Sequence, residues 1–121
     1  MKVFQIEWIS KDSEEALVFI GDDEYECTAF CHPCCLQVGN HLKNPLLAYD
    51  TKMIVQETDK RLSIKRQSNS LAHELIAKVT DVNSSLIKIG SIFIELDIPL
   101  PSDIRENEIV SLTCSRLDVI A

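Results

Sequence analysis

Only three glycines occur in 121 residues, and that scarcity removes the phosphate-cradling loops. Patterns such as G-x-G-x-x-G or G-x-x-x-x-G-K need closely spaced glycines so that the backbone can approach a phosphate. Gly21, Gly39 and Gly90 stand far apart. Aromatic residues are equally sparse at 6%, so the core has to be built from Ile, Leu and Val. A surplus of positive charge is missing too, the net charge being −7. A nucleic-acid backbone is bound by a dense cationic surface that displaces counterions, so nucleic acid is not the expected partner. The one basic cluster, Lys60-Arg61 with Lys65-Arg66, reads as a solvated loop or element end.

No long hydrophobic run is present either. The most apolar stretch, Ile89 to Leu100, is interrupted by Gly90, Glu95, Asp97 and Pro99. It is too short and too charged to span a bilayer. Met1 to Trp8 carries Gln5 and Glu7 where a signal peptide would be apolar. Five cysteines, an odd count, suit free thiols better than a disulfide framework. These features imply a cytoplasmic chain with no membrane association. The length, with no linker, repeat or low-complexity tract, implies one domain over 1–121.

What the sequence does contain is period-two patterning, the mark of half-buried strands. Phe4-Gln-Ile-Glu-Trp8 alternates. Ala16 to Ile20 reads as a strand buried on both faces or nearly so, and Gly21-Asp-Asp23 as a tight hairpin turn that tolerates positive φ. The return strand is Tyr25 to Cys31, with Tyr25, Cys27, Ala29 and Cys31 on one face and His32-Pro33 as its end. Small or polar turn residues precede apolar strand starts in Gln37–Leu42, Lys88–Phe93 and Arg105–Val110. Ile76 to Val82, a turn at Asn83–Ser85 and Leu86 to Ile98 form a long hairpin with a kink or bulge at Gly90. Pro99 to Asp103 is a rigid connection, Val110 to Cys114 alternates again, and Leu117 and Val119 close the chain. Leu71, Leu75 and Val79 fall at helical spacing behind Ser70, which predicts a helical turn over 69–74 and a strand from Leu75. The expected fold is all-β and mainly antiparallel: a small OB-like β-barrel or curved sheet of six to eight strands, with at most one short helix.

Chemistry-bearing residues concentrate between Cys27 and His41, which hold four of the five cysteines and two of the three histidines. Cys31-His-Pro-Cys34 is a C-x-x-C motif resembling the thioredoxin-type redox motif, whose first Cys is activated at a helix N-terminus. Gly39-Asn40 and Pro45 break any helix after it, and the βαβ alternation of that fold is missing. For zinc, Cys27 and Cys31 lie about 13 Å apart along a strand, too far to share an ion. Cys31, Cys34 and His41 are the metal candidates, among neighbours His32 and Cys35 and with Cys114 as a distant fourth ligand. The competing reading makes Cys27 and Cys31 small core residues. Cys34–His41 and Cys31–His73 are conceivable nucleophile pairs. Asp22, Asp23, Glu24 and Glu26 form an acidic tip without the ordered calcium-loop spacing.

Acids are concentrated at both ends of the chain. Residues 1–26 hold eight against Lys2 and Lys11, and residues from 89 onward hold six against Arg105 and Arg116. The expectation is a non-catalytic cytoplasmic interaction module whose acidic surface takes a basic protein partner, as an immunity-type or regulatory protein would. The alternative is a zinc- or thiol-dependent protein centred on Cys31-His-Pro-Cys34. Self-association through an exposed strand edge is a third expectation.

Overall fold

Alternation of apolar and polar residues carries through to the architecture. The computed structural model describes residues 1–120 and contains eleven strands. They are β1 (Lys2–Ser10), β2 (Glu15–Gly21), β3 (Glu26–Cys31), β4 (Leu46–Tyr49), β5 (Lys52–Glu57), β6 (Ser63–Arg66), β7 (His73–Asp81), β8 (Leu86–Ile89), β9 (Ile92–Leu96), β10 (Ile109–Cys114) and β11 (Arg116–Asp118). All belong to one mixed sheet, with the order β1-β2-β3-β11-β4-β9-β8-β7-β10-β5 and β6 added to β7. Pairings are antiparallel except β3 with β11 and β4 with β9, which run parallel. Among the described residues there is no helix, so none is long and apolar enough to cross a membrane.

The sheet does not close, yet it is rolled. Four strands, β11, β4, β9 and β8, lie between β3 and β7, so that on a flat sheet the two would stand about 24 Å apart at ~4.8 Å per inter-strand step. The Thr28 amide of β3 nevertheless donates to Nε2 of His73 on β7 at 3.3 Å. Only a strongly coiled sheet brings these strands face to face. The inner face carries every second residue of β2, β7, β8, β9 and β10. Ile20, Ile87, Ile92 and Ile94 are fully shielded there, each burial stabilising by about 1.5–3 kcal/mol relative to exposure.

Four expectations are corrected by this arrangement. Eleven strands replace six to eight, because β4, β5 and β6 carry little alternation: β4 and β6 have four residues each, and β5 is interrupted at Met53, where φ is 59°. No helical turn forms over 69–74: residues 67–72 are a hairpin loop, closed by Gln67 N–H to Ala72 O at 2.8 Å with Asn69 at φ 60°, and His73 and Glu74 already belong to β7. The period-two series Leu75, Ala77, Val79 prevails over the helical one because both edges of β7 find partners, β10 on one side and β6 and β8 on the other. Gly90 is a full reversal rather than a kink: at φ 59° it opens a two-residue turn that pairs Ile89 with Ile92. The Gly21–Asp23 turn needs no positive φ. It extends to Tyr25, and Asp22 Oδ1 accepts the Glu24 and Tyr25 amides at 2.8 Å each.

Candidate functional site

Strand alternation places the first sulfurs of the cysteine-rich segment. On β3, Cys27, Ala29 and Cys31 share the buried face. The chain then leaves the sheet through a cis His32-Pro33 peptide. Cys34 N–H donates to Glu14 O at 2.8 Å, which folds the segment back under the β1–β2 connection and buries Cys34. Residues 34–45 hold only turns and one isolated bridge, so no helix dipole faces Cys31. Cys35 alone among the five thiols is exposed.

Burial dominates the sulfur chemistry. It pushes the Cys31 thiol up to about 12, and the neighbouring Cys34 thiol adds to the rise. Cys27 is pushed up to about 12 by burial, with Cys114 next in effect. Burial also raises Cys114 to about 11, against amides of His73 and Arg116 that favour the thiolate. At neutral pH these three sulfurs are protonated, so none is a ready thiolate nucleophile, and a metal would have to displace a proton from each sulfur it bound.

The candidate ligands are divided between the levels of the two ends of β2. His41 forms a bridge with Lys2, which lies opposite Gly21, whereas Cys31 lies opposite Ala16 on the same β2 strand. Five residues of strand, about 17 Å, separate these levels. Cys31 and Cys34 are neighbours, and His41 is not with them. Among the described residues no group of three or more His, Cys, Asp or Glu is arranged to hold an ion. The pair Cys31–His73 is separated too. His73 meets β3 at Thr28, three residues or about 10 Å from Cys31.

His73 is the feature that sequence reasoning undervalued. It is completely buried, with Nδ1 donating to Leu71 O at 2.9 Å and Nε2 accepting from Thr28 N–H at 3.3 Å. These partners require the neutral ring with its proton on Nδ1. Burial pushes its pKa down to about 4, with the Arg66 charge acting the same way and the Leu71 hydrogen bond opposing. The ring therefore acts as an internal tie between two strands, with both nitrogens already engaged.

The acidic tip is a separate and ordered surface. Asp22 Oδ2 accepts from Ser91 N at 2.9 Å and Ser91 Oγ at 2.8 Å, which locks the β2–β3 turn onto the β8–β9 turn. Burial acts against the charge, but hydrogen bonds from Ser91, Tyr25 and Glu24 hold the carboxyl well below the ordinary carboxylate range. Asp23, Glu24 and Glu26 remain exposed. Beside them opens a cleft of about 510 Å³, lined by Met1, Lys2, Phe4, Asp23, Glu26 and His41 among others. Elsewhere Arg116 pairs with Asp118 at 2.6 and 2.9 Å and lies over the rings of Phe30 and Tyr49, at 4.7 and 5.2 Å from their centroids. That stack pins the short β11 between β3 and β4. Of the basic cluster, Lys60 and Arg61 lie in the β5–β6 loop, Lys65 is exposed on β6, and Arg66 donates to Ser70 O at 2.7 Å.

No family model, curated protein or solved structure matches this chain.

Proposed function

We propose that this chain is a single-domain, non-catalytic binding module of the cytoplasm whose acidic surface engages a basic protein partner. The observation that supports it best is the β2–β3 turn. Asp22 holds the turn rigid, so that Asp23, Glu24 and Glu26 face solvent beside a cleft whose wall includes Phe4 and Met1. A preorganised cluster of one sign speeds encounter with the opposite charge, and a neighbouring apolar wall supplies the short-range contact. A protein that occupies and neutralises a basic toxin is one concrete form of this role. Five free thiols suit a reducing compartment. The scaffold is taken as an OB-like barrel left open along one seam, an analogy drawn from the roll of the sheet that carries no function with it.

The test compares two charge reversals. The immobilised chain is exposed to lysate at low and at high salt, alongside Asp23→Lys/Glu24→Lys/Glu26→Lys and the control Asp103→Lys/Glu106→Lys. A basic protein retained by the wild type and the control, released by salt and lost from the triple variant is the expected result. Retention of no salt-sensitive basic protein, or equal retention by both variants, overturns the proposal.

A further inference from the structure

The two ends of the sheet differ in how they are finished. β1 is covered on its outer side along its first residues: Val3 N–H donates to Asn40 O at 2.9 Å, Gly39 N–H to Val3 O at 2.8 Å and Leu42 N–H to Met1 O at 2.9 Å. Irregularities in its pairing with β2 at Phe4 and Ile9 twist the remainder. β5 pairs only with β10, and among the described residues no other backbone group bonds to its outer edge. Met53 at 76% exposure and Val55 at 51% stand on this open edge. A strand so finished is a template for another strand.

The register of β5 says which strand fits. Lys52, Val55 and Glu57 lie opposite Thr113, Ser111 and Ile109 of β10, so these three share the outward face. Charge along the strand runs from Lys52 at one end to Glu57 at the other, with Val55 between. An antiparallel copy related by a two-fold axis perpendicular to the sheet keeps the same face outward and pairs like positions about a centre. Centred on Val55, that operation sets Val55 against Val55 of the second copy and Lys52 against its Glu57, twice over. The extra residue at Met53 falls opposite Gln56 in both halves. Lys52 is held only by an exposed surface pair with Asp50, at 3.4 Å. Glu57 Oε1 accepts from Ser111 Oγ at 2.8 Å within its own chain, which leaves Oε2 to meet Lys52 of the second copy.

We infer that two copies of this chain associate edge to edge through β5, antiparallel about a two-fold axis at Val55, with Lys52 of each facing Glu57 of the other. The contact is one strand wide and smaller than a standard interface, so association is expected to be micromolar or weaker.

Light scattering and sedimentation across a concentration series are expected to show a reversible monomer–dimer equilibrium. Lys52→Glu and Glu57→Lys each place like charges opposite one another twice and should weaken dimerisation roughly tenfold. The double swap Lys52→Glu/Glu57→Lys restores it, and so does an equimolar mixture of the two single variants. In a Cys35→Ser background, Val55→Cys should cross-link between copies under mild oxidation by glutathione disulfide. Met53→Cys, more exposed but displaced from the axis beyond the ~7 Å Cα separation a disulfide tolerates, should not. A chain that stays monomeric at millimolar concentration, as an edge reserved for a different protein would leave it, overturns the inference. A dimer indifferent to the charge swaps, or equal cross-linking at both positions, overturns it as well.

Discussion

Acidification probes the His73 tie directly. The ring accepts the Thr28 amide at Nε2 and donates from Nδ1 to Leu71 O, so a second proton would put two N–H donors face to face inside the sheet. The folded pKa is about 4 against an ordinary 6.5. The unfolded chain therefore takes up a proton that the folded chain refuses. Stability associated with the neutral ring is complete above about pH 6.5 and is lost as pH falls towards and through about 4. The gap of about 2.5 units corresponds to roughly 3 kcal/mol at ~1.4 kcal/mol per unit, a large share of the 5–15 kcal/mol typical of a small domain. Urea unfolding at intervals between pH 7.5 and 4.5 reads this slope, in a window above the ordinary carboxylate titrations. His73→Gln can keep one donor and one acceptor but cannot titrate. It should be less stable at pH 7, by about 1–3 kcal/mol for imperfect hydrogen bonding, and nearly flat over the same range. His32 and His41 are exposed and present in both proteins. Equal slopes in wild type and His73→Gln, or a His73 resonance titrating near 6.5, would show that the buried ring is not the source of the pH dependence.

Two further outcomes follow from burial and backbone. Native thiol titration at pH 7.5 should count one fast sulfur, Cys35, with Cys27, Cys31, Cys34 and Cys114 reacting only on unfolding; Cys35→Ser should bring the native count to zero, and a native count of two or more would contradict the buried assignment. Gly90→Ala should cost roughly 2–3 kcal/mol in urea unfolding, because φ is 59° and the new Cβ would meet Tyr25 Cδ2 at 2.6 Å and Asp22 Oδ2 at 2.8 Å. Gly39→Ala, also at positive φ but with nothing within 4 Å, should lose less.

The strands that were legible in the sequence are those whose side chains meet two different environments. Val110 to Cys114 alternates because one face is core and the other is not, and Cys27, Ala29 and Cys31 point inward at the same period, with Thr28 buried as well where it meets His73. Ala16 to Ile20, all apolar, reads as buried on both faces, but Leu17 and Phe19 are only half-buried, because one face of β2 looks away from the core. β5 and β6 were invisible for the opposite reason. β5 lies at the rim, where both faces are partly wet, and a bulge at Met53 breaks its period. The cysteine segment divides the same way. Its inward sulfurs on β3 follow from the two-residue period, but the level at which His41 settles depends on the chain returning to Lys2, which no local pattern encodes.

Local chemistry in the sequence thus determined the all-β class and which residues of the well-patterned strands face inward, since both depend on neighbours within a few positions. Tertiary structure alone decided what meets across distance. Thr28 and His73 are 45 positions apart and Asp22 and Ser91 are 69 apart, and their bonds exist only because the sheet rolls. It also decided which strand keeps an open outer edge. A free edge is a property of the order of strands in the sheet, and that order is set by the packing of the whole core rather than by any one segment.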